Sequence, residues 1–257
     1  LINAGTLDIV LNEYQQATQL KLTLQVEGNT ECNTYDIWVY PAENNLESLK
    51  KRVIITRTLT ADIARRLENG ESVLLMPDAS EQTVGGLFQT DYWNYRMFKT
   101  ISENNNRHVS PGTLGILTDP EHPLLASFPT EMHTNWQWFP VIKASHPFKL
   151  DNTAADYRPI VQVIDNIERN HKLGLVFEFA VGKGKLLVVM ADLEKAAEHL
   201  EGKHFYQSVL RYMTSQHFAP KTAITVADFH SLMNTPVVAG EIGKLNNISP
   251  YKADDYK

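Results

Sequence analysis

The stretch VIITRTLTADIARRLENGESVLLM, residues 53–76, decides the fold. Two short apolar runs, Val53-Ile54-Ile55-Thr56 and Val73-Leu74-Leu75-Met76, flank a segment of helical period from Thr60 to Leu67. Apolar runs of this length suit strands covered on both faces. Thr60 stands where a helix N-cap is expected and Gly70 where a helix stops. Strand, helix and strand in that order predict a right-handed crossover and a parallel sheet. The fold class expected is α/β, with a flavodoxin-like parallel sheet.

Immediately downstream, Pro77-Asp78 ends the second strand, and VGGLFQTDYWNYRMF follows at residues 84–98. Gly85-Gly86 permits a sharp turn. In open α/β sheets ligands bind beyond the carboxyl ends of the strands. The rings and short polar groups of Asp91, Tyr92, Trp93, Asn94 and Tyr95 are therefore candidates to hold a sugar. The competing reading is that these rings fill a core or a domain interface, the commoner use of large aromatics. Asp165-Asn166-Ile167-Glu168-Arg169 directly follows the expected strand Ile160–Asp165, so Asp165, Asn166 and Arg169 are candidates for the same crevice. Trp136 and Trp138, in a segment read as extended, join them as ring platforms. Against this stands an ordinary polar turn.

Upstream, residues 1–41 read as β structure. Thr6 to Leu11 is one expected strand. Leu20, Leu22, Leu24 and Val26 alternate with polar residues, and Tyr35 to Tyr40 forms a third strand stopped by Pro41. Three strands make a poor core alone. This segment is expected to finish a β-sandwich or to pack on the next domain. Further along, a helix is expected at Asn94–Ser102, a strand at Leu114–Leu117 and a short helix at Pro123–Ser127. Leu173–Val181 and Lys185–Met190 are strands joined by a Gly182-Lys183-Gly184 hairpin. Helices follow at Leu193–Leu200, His204–Met213 and Ala227–Met233, then a polar tail from Lys244. The divisions expected are a β segment at 1–41, an α/β domain at 42–220 and an extension at 221–257.

Composition narrows the function. The chain has 257 residues, 43% apolar and 21% charged, ordinary for a globular protein. A net charge of −6 argues against non-specific nucleic-acid binding. No apolar run reaches the ~18 residues of a membrane span. Neither nucleic acid nor membrane is an expected partner. The first residue is Leu1 and no signal peptide is visible, so an excised piece is the expectation.

A flavodoxin-like domain with a strand-to-loop switch near residue 77 is similar to class I glutamine amidotransferases. Those need a cysteine nucleophile on a sharp turn. The single cysteine, Cys32, precedes the α/β part, so amidotransferase chemistry is not expected and Cys32 reads as a packing residue. The G-x-S-x-G elbow, the dinucleotide fingerprint and the Walker loop are all absent. Neither the His122/His133 pair nor His199/His204 has compact metal-ligand spacing, and surface or capping roles are expected. No cofactor or metal is proposed. Asp91, Asp119, Glu131, Asp165, Glu168 and Glu178 are available carboxylates, but sequence brings no two to the spacing that glycoside hydrolysis needs.

Several segments, in order, carry a resemblance: NTYDIWVYP (33–41), FQTDYWNYRMF (88–98), GTLGILTDPEHPLLASFPTEMHTNWQWF (112–139) and YRPIVQVIDNIERNHKLGLVFEFAVGKGKLLVV (157–189). With a helix ending near Phe218, they resemble the C-terminal region of large family-two, β-galactosidase-like glycoside hydrolases of gut Bacteroidetes. The resemblance covers about residues 1–220. It implies immunoglobulin-like sandwiches and a catalytic barrel upstream, an amidotransferase-like α/β domain without amidotransferase residues, and a periplasmic or secreted location. The family's catalytic glutamates belong to the barrel, and no stretch here matches them. The expected function is thus a non-catalytic accessory region whose partners are the upstream domains of the parent glycosidase. The alternative is an autonomous carbohydrate-binding module. A self-sufficient hydrolase built on Asp91 and Asp165 is a distant third.

Overall fold

A computed structural model describes residues 5–6, 8–42, 45–85, 104–106, 113–166 and 170–237. Candidates Asp91, Tyr92, Trp93, Asn94, Tyr95 and Arg169 lie outside the described residues. So do the expected helix at 94–102 and the tail from Lys244.

Two strands open the chain, β1 (Thr18–Gln25) and β2 (Cys32–Val39), paired antiparallel with Leu20 opposite Ile37 and Leu22 opposite Tyr35. Residues 8–11, expected as a strand, are irregular, and no strand among the described residues runs beside them. A short helix, α1 (Leu46–Lys50), leads into the α/β part.

Strand β3 (Ile54–Thr56), helix α2 (Ala61–Glu68) and strand β4 (Ser72–Leu75) form as the sequence predicts. The Thr60 side chain accepts a bond from Ile63 N–H at 3.4 Å, and Gly70 takes φ +116° beyond the helix end. Strands β5 (Gly115–Thr118), β6 (Phe148–Lys149), β7 (Val161–Ile164), β8 (Lys172–Val181) and β9 (Gly184–Val189) complete the sheet. Its order is β3-β4-β9-β8-β7-β5, with β6 beside β8.

The sheet is mixed, not parallel as expected. β3, β4 and β9 are parallel; β8, β7 and β5 each run antiparallel to the preceding strand in that order. The first reversal comes at the Gly182-Lys183-Gly184 turn, which the sequence also announces: a tight hairpin returns the chain beside itself and sets β8 against β9. Gly182 has φ +59° there.

Helices α3 (Phe139–Lys143), α4 (Leu193–Ala196), α5 (Leu200–Met213) and α6 (Val226–Asn234) surround the sheet. Successive strand residues face opposite ways. Tyr212 of α5 meets Glu178 on one face of β8, and Phe229 of α6 meets Phe179 on the other. The sheet is covered on both sides, which explains why β4, β8 and β9 are apolar almost throughout. The core gathers Leu74, Phe148, Phe177, Leu187 and Phe205, all fully buried.

The β1–β2 hairpin is seated through one face of its base. Gln19 donates to Glu131 at 2.5 Å, Trp38 Nε1 to the Pro129 carbonyl at 3.1 Å, and the Tyr40 hydroxyl bonds Gln137 Oε1 at 2.7 Å. Tyr40 also stacks on His204 of α5 with centroids 4.3 Å apart.

Candidate functional site

The crevice expected beyond the parallel strands is occupied by the chain itself. Residues 145–149 cross the carboxyl ends of β4 and β9. Ser145 bridges Ala191, His146 N–H donates to the Met190 carbonyl at 2.8 Å, and the His146 ring bonds the Pro77 carbonyl at 2.7 Å. Thr83 then bridges Phe148, so the rows of β4 and β9 continue through other segments. Arg57 closes the same end with bonds to Asp78 at 2.7 Å and Asp192 at 3.0 Å.

Asp165 and Asn166 follow β7 at this end and are both buried. Asp165 ties its own loop: one oxygen accepts Asn166 N–H at 2.8 Å and the other His171 N–H at 3.0 Å. Each carboxylate oxygen thus accepts a backbone donor of the loop.

Trp136 and Trp138 part company. The segment is a 3-10 turn over Trp136–Trp138 instead of the expected extended chain. In a strand, residues two apart share a face; at three residues per turn they diverge widely. Trp138 is fully buried, packed against Phe128 and Phe205, with its N–H on Thr130 Oγ1 at 2.8 Å. Its faces are not open to a sugar. Trp136 is 81% exposed. Of the described candidates it alone presents a free ring.

A different site lies at the opposite end of the sheet, where β5 and β8 end and β7 begins. It is an open groove of about 840 Å³, within the usual range of small-molecule sites. Glu178 stands in it as the one charge in the apolar run of β8. The Tyr212 hydroxyl donates to its carboxylate at 2.7 Å, and the Tyr157 hydroxyl donates to its backbone carbonyl at 2.9 Å. Burial pushes the Glu178 carboxyl above its ordinary pKa; Tyr212 and, further off, Lys185 pull it back. Burial likewise raises both tyrosines, so each remains a hydroxyl donor.

The loop of residues 151–159 forms one wall. Lys172 pins it through Thr153 Oγ1 at 2.9 Å and the Ala154 carbonyl at 2.7 Å, and Tyr157 stacks on Phe179 at 5.0 Å. Arg158 donates to the Ala155 and Tyr157 carbonyls at 2.7 and 3.0 Å. On the other wall His122 caps a short turn, its Nδ1 accepting Leu124 N–H at 3.2 Å, and meets Tyr212 edge-on. Burial lowers the His122 pKa and so favours the neutral ring that this cap requires. The groove therefore offers carboxylate, hydroxyl, amide and guanidinium groups over an apolar floor, an arrangement suited to binding.

The sequence offered Glu178 only as one of six available carboxylates. Its partners lie 21 and 34 residues away and had no pattern of their own. Among the described residues, no group of three or more His, Cys, Asp or Glu side chains is arranged to hold a metal, and no helix is long and apolar enough to cross a membrane.

Residues 54–234 match the family described as Domain of unknown function (DUF8487), and residues 1–41 match the family described as Domain of unknown function (DUF8488). No curated protein matches the chain.

Proposed function

We propose that this chain, which belongs to the DUF8487 family through residues 54–234, is a non-catalytic accessory region of a β-galactosidase-like glycoside hydrolase. In this proposal it packs on upstream domains of that enzyme, in the periplasm or outside the cell. The observation that carries it is the partly exposed apolar face of the β1–β2 hairpin. Leu20, Leu22 and Leu24 share a face with Ile37 and Tyr35, and Leu24 and Tyr35 are about half exposed. Two strands alone are marginal. A face of this kind is completed by a second sheet, as in an immunoglobulin-like sandwich. The polar base of the hairpin is already held by Glu131 and Pro129, so the apolar face is the one left for further strands.

The α/β part fits the same proposal as a flavodoxin-like, amidotransferase-like domain that has lost its chemistry. Proline and aspartate follow β4, Cys32 lies exposed on the hairpin, and the strand-end crevice is filled by residues 145–149. The test is hydrogen exchange of the β1 and β2 amides in this chain and in a chain extended upstream, beside a chromogenic β-galactoside assay. Protection of both strands on extension, with turnover only in the extended chain, is expected. Turnover by residues 1–257 alone overturns the proposal.

A second reading, a carbohydrate-binding module, is favoured by the exposed ring of Trp136. On this reading the aromatic loop from Asp91 to Tyr95 is its companion. Trp136→Ala then weakens sugar binding without lowering the melting temperature.

A further inference from the structure

We propose that the groove at Glu178 binds a neutral oligosaccharide chain. The proposal rests on the carbohydrate-binding reading of the protein but on different residues from Trp136 and the Asp91–Tyr95 loop.

The charge pattern selects the ligand. Glu178, Asp119 and Asp156 face the same space as Arg158 and Lys221. An anion entering it meets carboxylates, and a cation meets the guanidinium and ammonium groups. A sugar hydroxyl both donates and accepts, so a row of hydroxyls is satisfied by both sets at once. Arg158 is held at the rim by the Ala155 and Tyr157 carbonyls, and among the described residues neither it nor the exposed Lys221 forms an ion pair. The apolar floor suits the C–H faces of a pyranose ring.

The shape selects a chain over a single sugar. A second cavity of about 380 Å³ adjoins the groove and shares Ala154, Tyr157 and Thr222 with it. Asn152 and Asp228 give this second cavity polar groups of its own. The two openings lie side by side against that shared wall, near the end of β8. The walls are fixed before any ligand arrives: Lys172 pins the 151–159 loop, and Tyr157 is buried against Phe179. A preformed wall lowers the ordering cost of binding.

A peptide added as an extra strand is disfavoured here. The outer edge of β5 is already bonded, with Thr118 N–H on the Met132 carbonyl at 3.0 Å and Ile116 N–H on Thr134 Oγ1 at 2.8 Å. Main-chain pairing along that edge has no donors to use.

The test is calorimetric titration of the whole chain with glucose, galactose, xylose and mannose and with their β-1,4-linked di-, tetra- and hexasaccharides. At least one neutral series is expected to bind more tightly as the chain lengthens. Arg158→Ala and Gln162→Ala are each expected to weaken the hexasaccharide about tenfold, the loss of one or two hydrogen bonds. Trp136→Ala is expected to leave it unchanged, and circular dichroism melts establish that the variants fold. Lys221→Ala, an exposed rim change, serves where Arg158→Ala does not fold. The proposal is overturned if no neutral oligosaccharide binds. It is equally overturned if affinity ignores the groove variants, or if polygalacturonate or a peptide competes for the groove in preference. Failure here leaves the accessory proposal standing, because that proposal falls on turnover of a β-galactoside.

Discussion

At position 204 a histidine lies flat against Tyr40, with 11° between the ring planes. Burial pushes its pKa down to about 4, and Lys203 and Arg211 add to the shift. The folded protein thus keeps the ring neutral where the unfolded chain, with a pKa near 6.5, takes up a proton. Stability tied to this residue is full above pH 6.5 and falls as pH drops toward 4. His204→Phe retains the stack and removes the proton site. Between pH 7 and pH 4 wild type is predicted to lose up to about 3 kcal/mol more than the variant, read from urea midpoints. Parallel loss in both proteins would refute this. Glu178 has the opposite sign. Its raised pKa means that the folded state holds a proton the unfolded chain has released, so its contribution is best at acid pH and declines as pH rises through the folded value. Glu178→Gln keeps an acceptor for Tyr212. It is predicted to leave melting at pH 8 equal to or above wild type, while lowering the variant relative to wild type near pH 4.5. At this scale the sequence was partly legible. Glu178 was one of six available carboxylates with nothing to set it apart, and His122 behaves as an expected capping histidine. His204, expected at the surface or as a cap, proves buried, because the tyrosine that covers it arrives from a hairpin more than a hundred residues earlier.

Among the elements, the β8–β9 hairpin shows how much one turn has to satisfy. Gly182 supplies a positive φ, and Lys183 N–H donates to the Glu68 carbonyl at the end of α2 at 3.0 Å. A Cβ at Gly184 would stand 1.9 Å from the Leu67 carbonyl oxygen and 2.6 Å from that of Glu71. Backbone atoms of a docked helix cannot retreat from such a contact without undocking it. Gly184→Ala is therefore predicted to cost more than about 3 kcal/mol, whereas Lys183→Ala, a change at an exposed side chain, stays within about 0.5 kcal/mol. Urea denaturation of the pair checks this. Gly-Lys-Gly was legible as a turn because glycine punctuates local structure. The docking of α2 onto it was not, since nothing in residues 182–184 refers to Leu67. The expected parallel sheet failed for a related reason: β3, α2 and β4 advertise parallel pairing locally, and the hairpin that sets β8 against β9 lies a hundred residues on. Trp136 and Trp138 were misplaced because two tryptophans around a glutamine fit a strand or a tight turn equally well.

For the whole molecule, the strand order β3-β4-β9-β8-β7-β5 sets neighbours in space against neighbours in sequence. The apolar runs named most of the strands, but no local pattern assigns β9 to the side of β4. That pairing follows only from covering both faces of the sheet at once. It also sets a clock. Ser72 and Lys185, which face each other in the sheet, are about 110 residues apart. At ribosomal speeds of ~5–20 residues per second, β4 waits roughly ten seconds for its partner. Throughout that interval Val73, Leu74 and Leu75 offer a bare β edge, the kind of template on which chains aggregate. In refolding, β8 and β9, joined by two residues, pair early, and β4 joins late because long loop closure is slow. Pulsed hydrogen exchange is predicted to protect β8 and β9 amides before those of β4, and reversal of that order would refute it. An insertion in β9 would then do its damage at a distance, stranding β4 long after it was made and turning a sheet neighbour into a nascent-chain hazard.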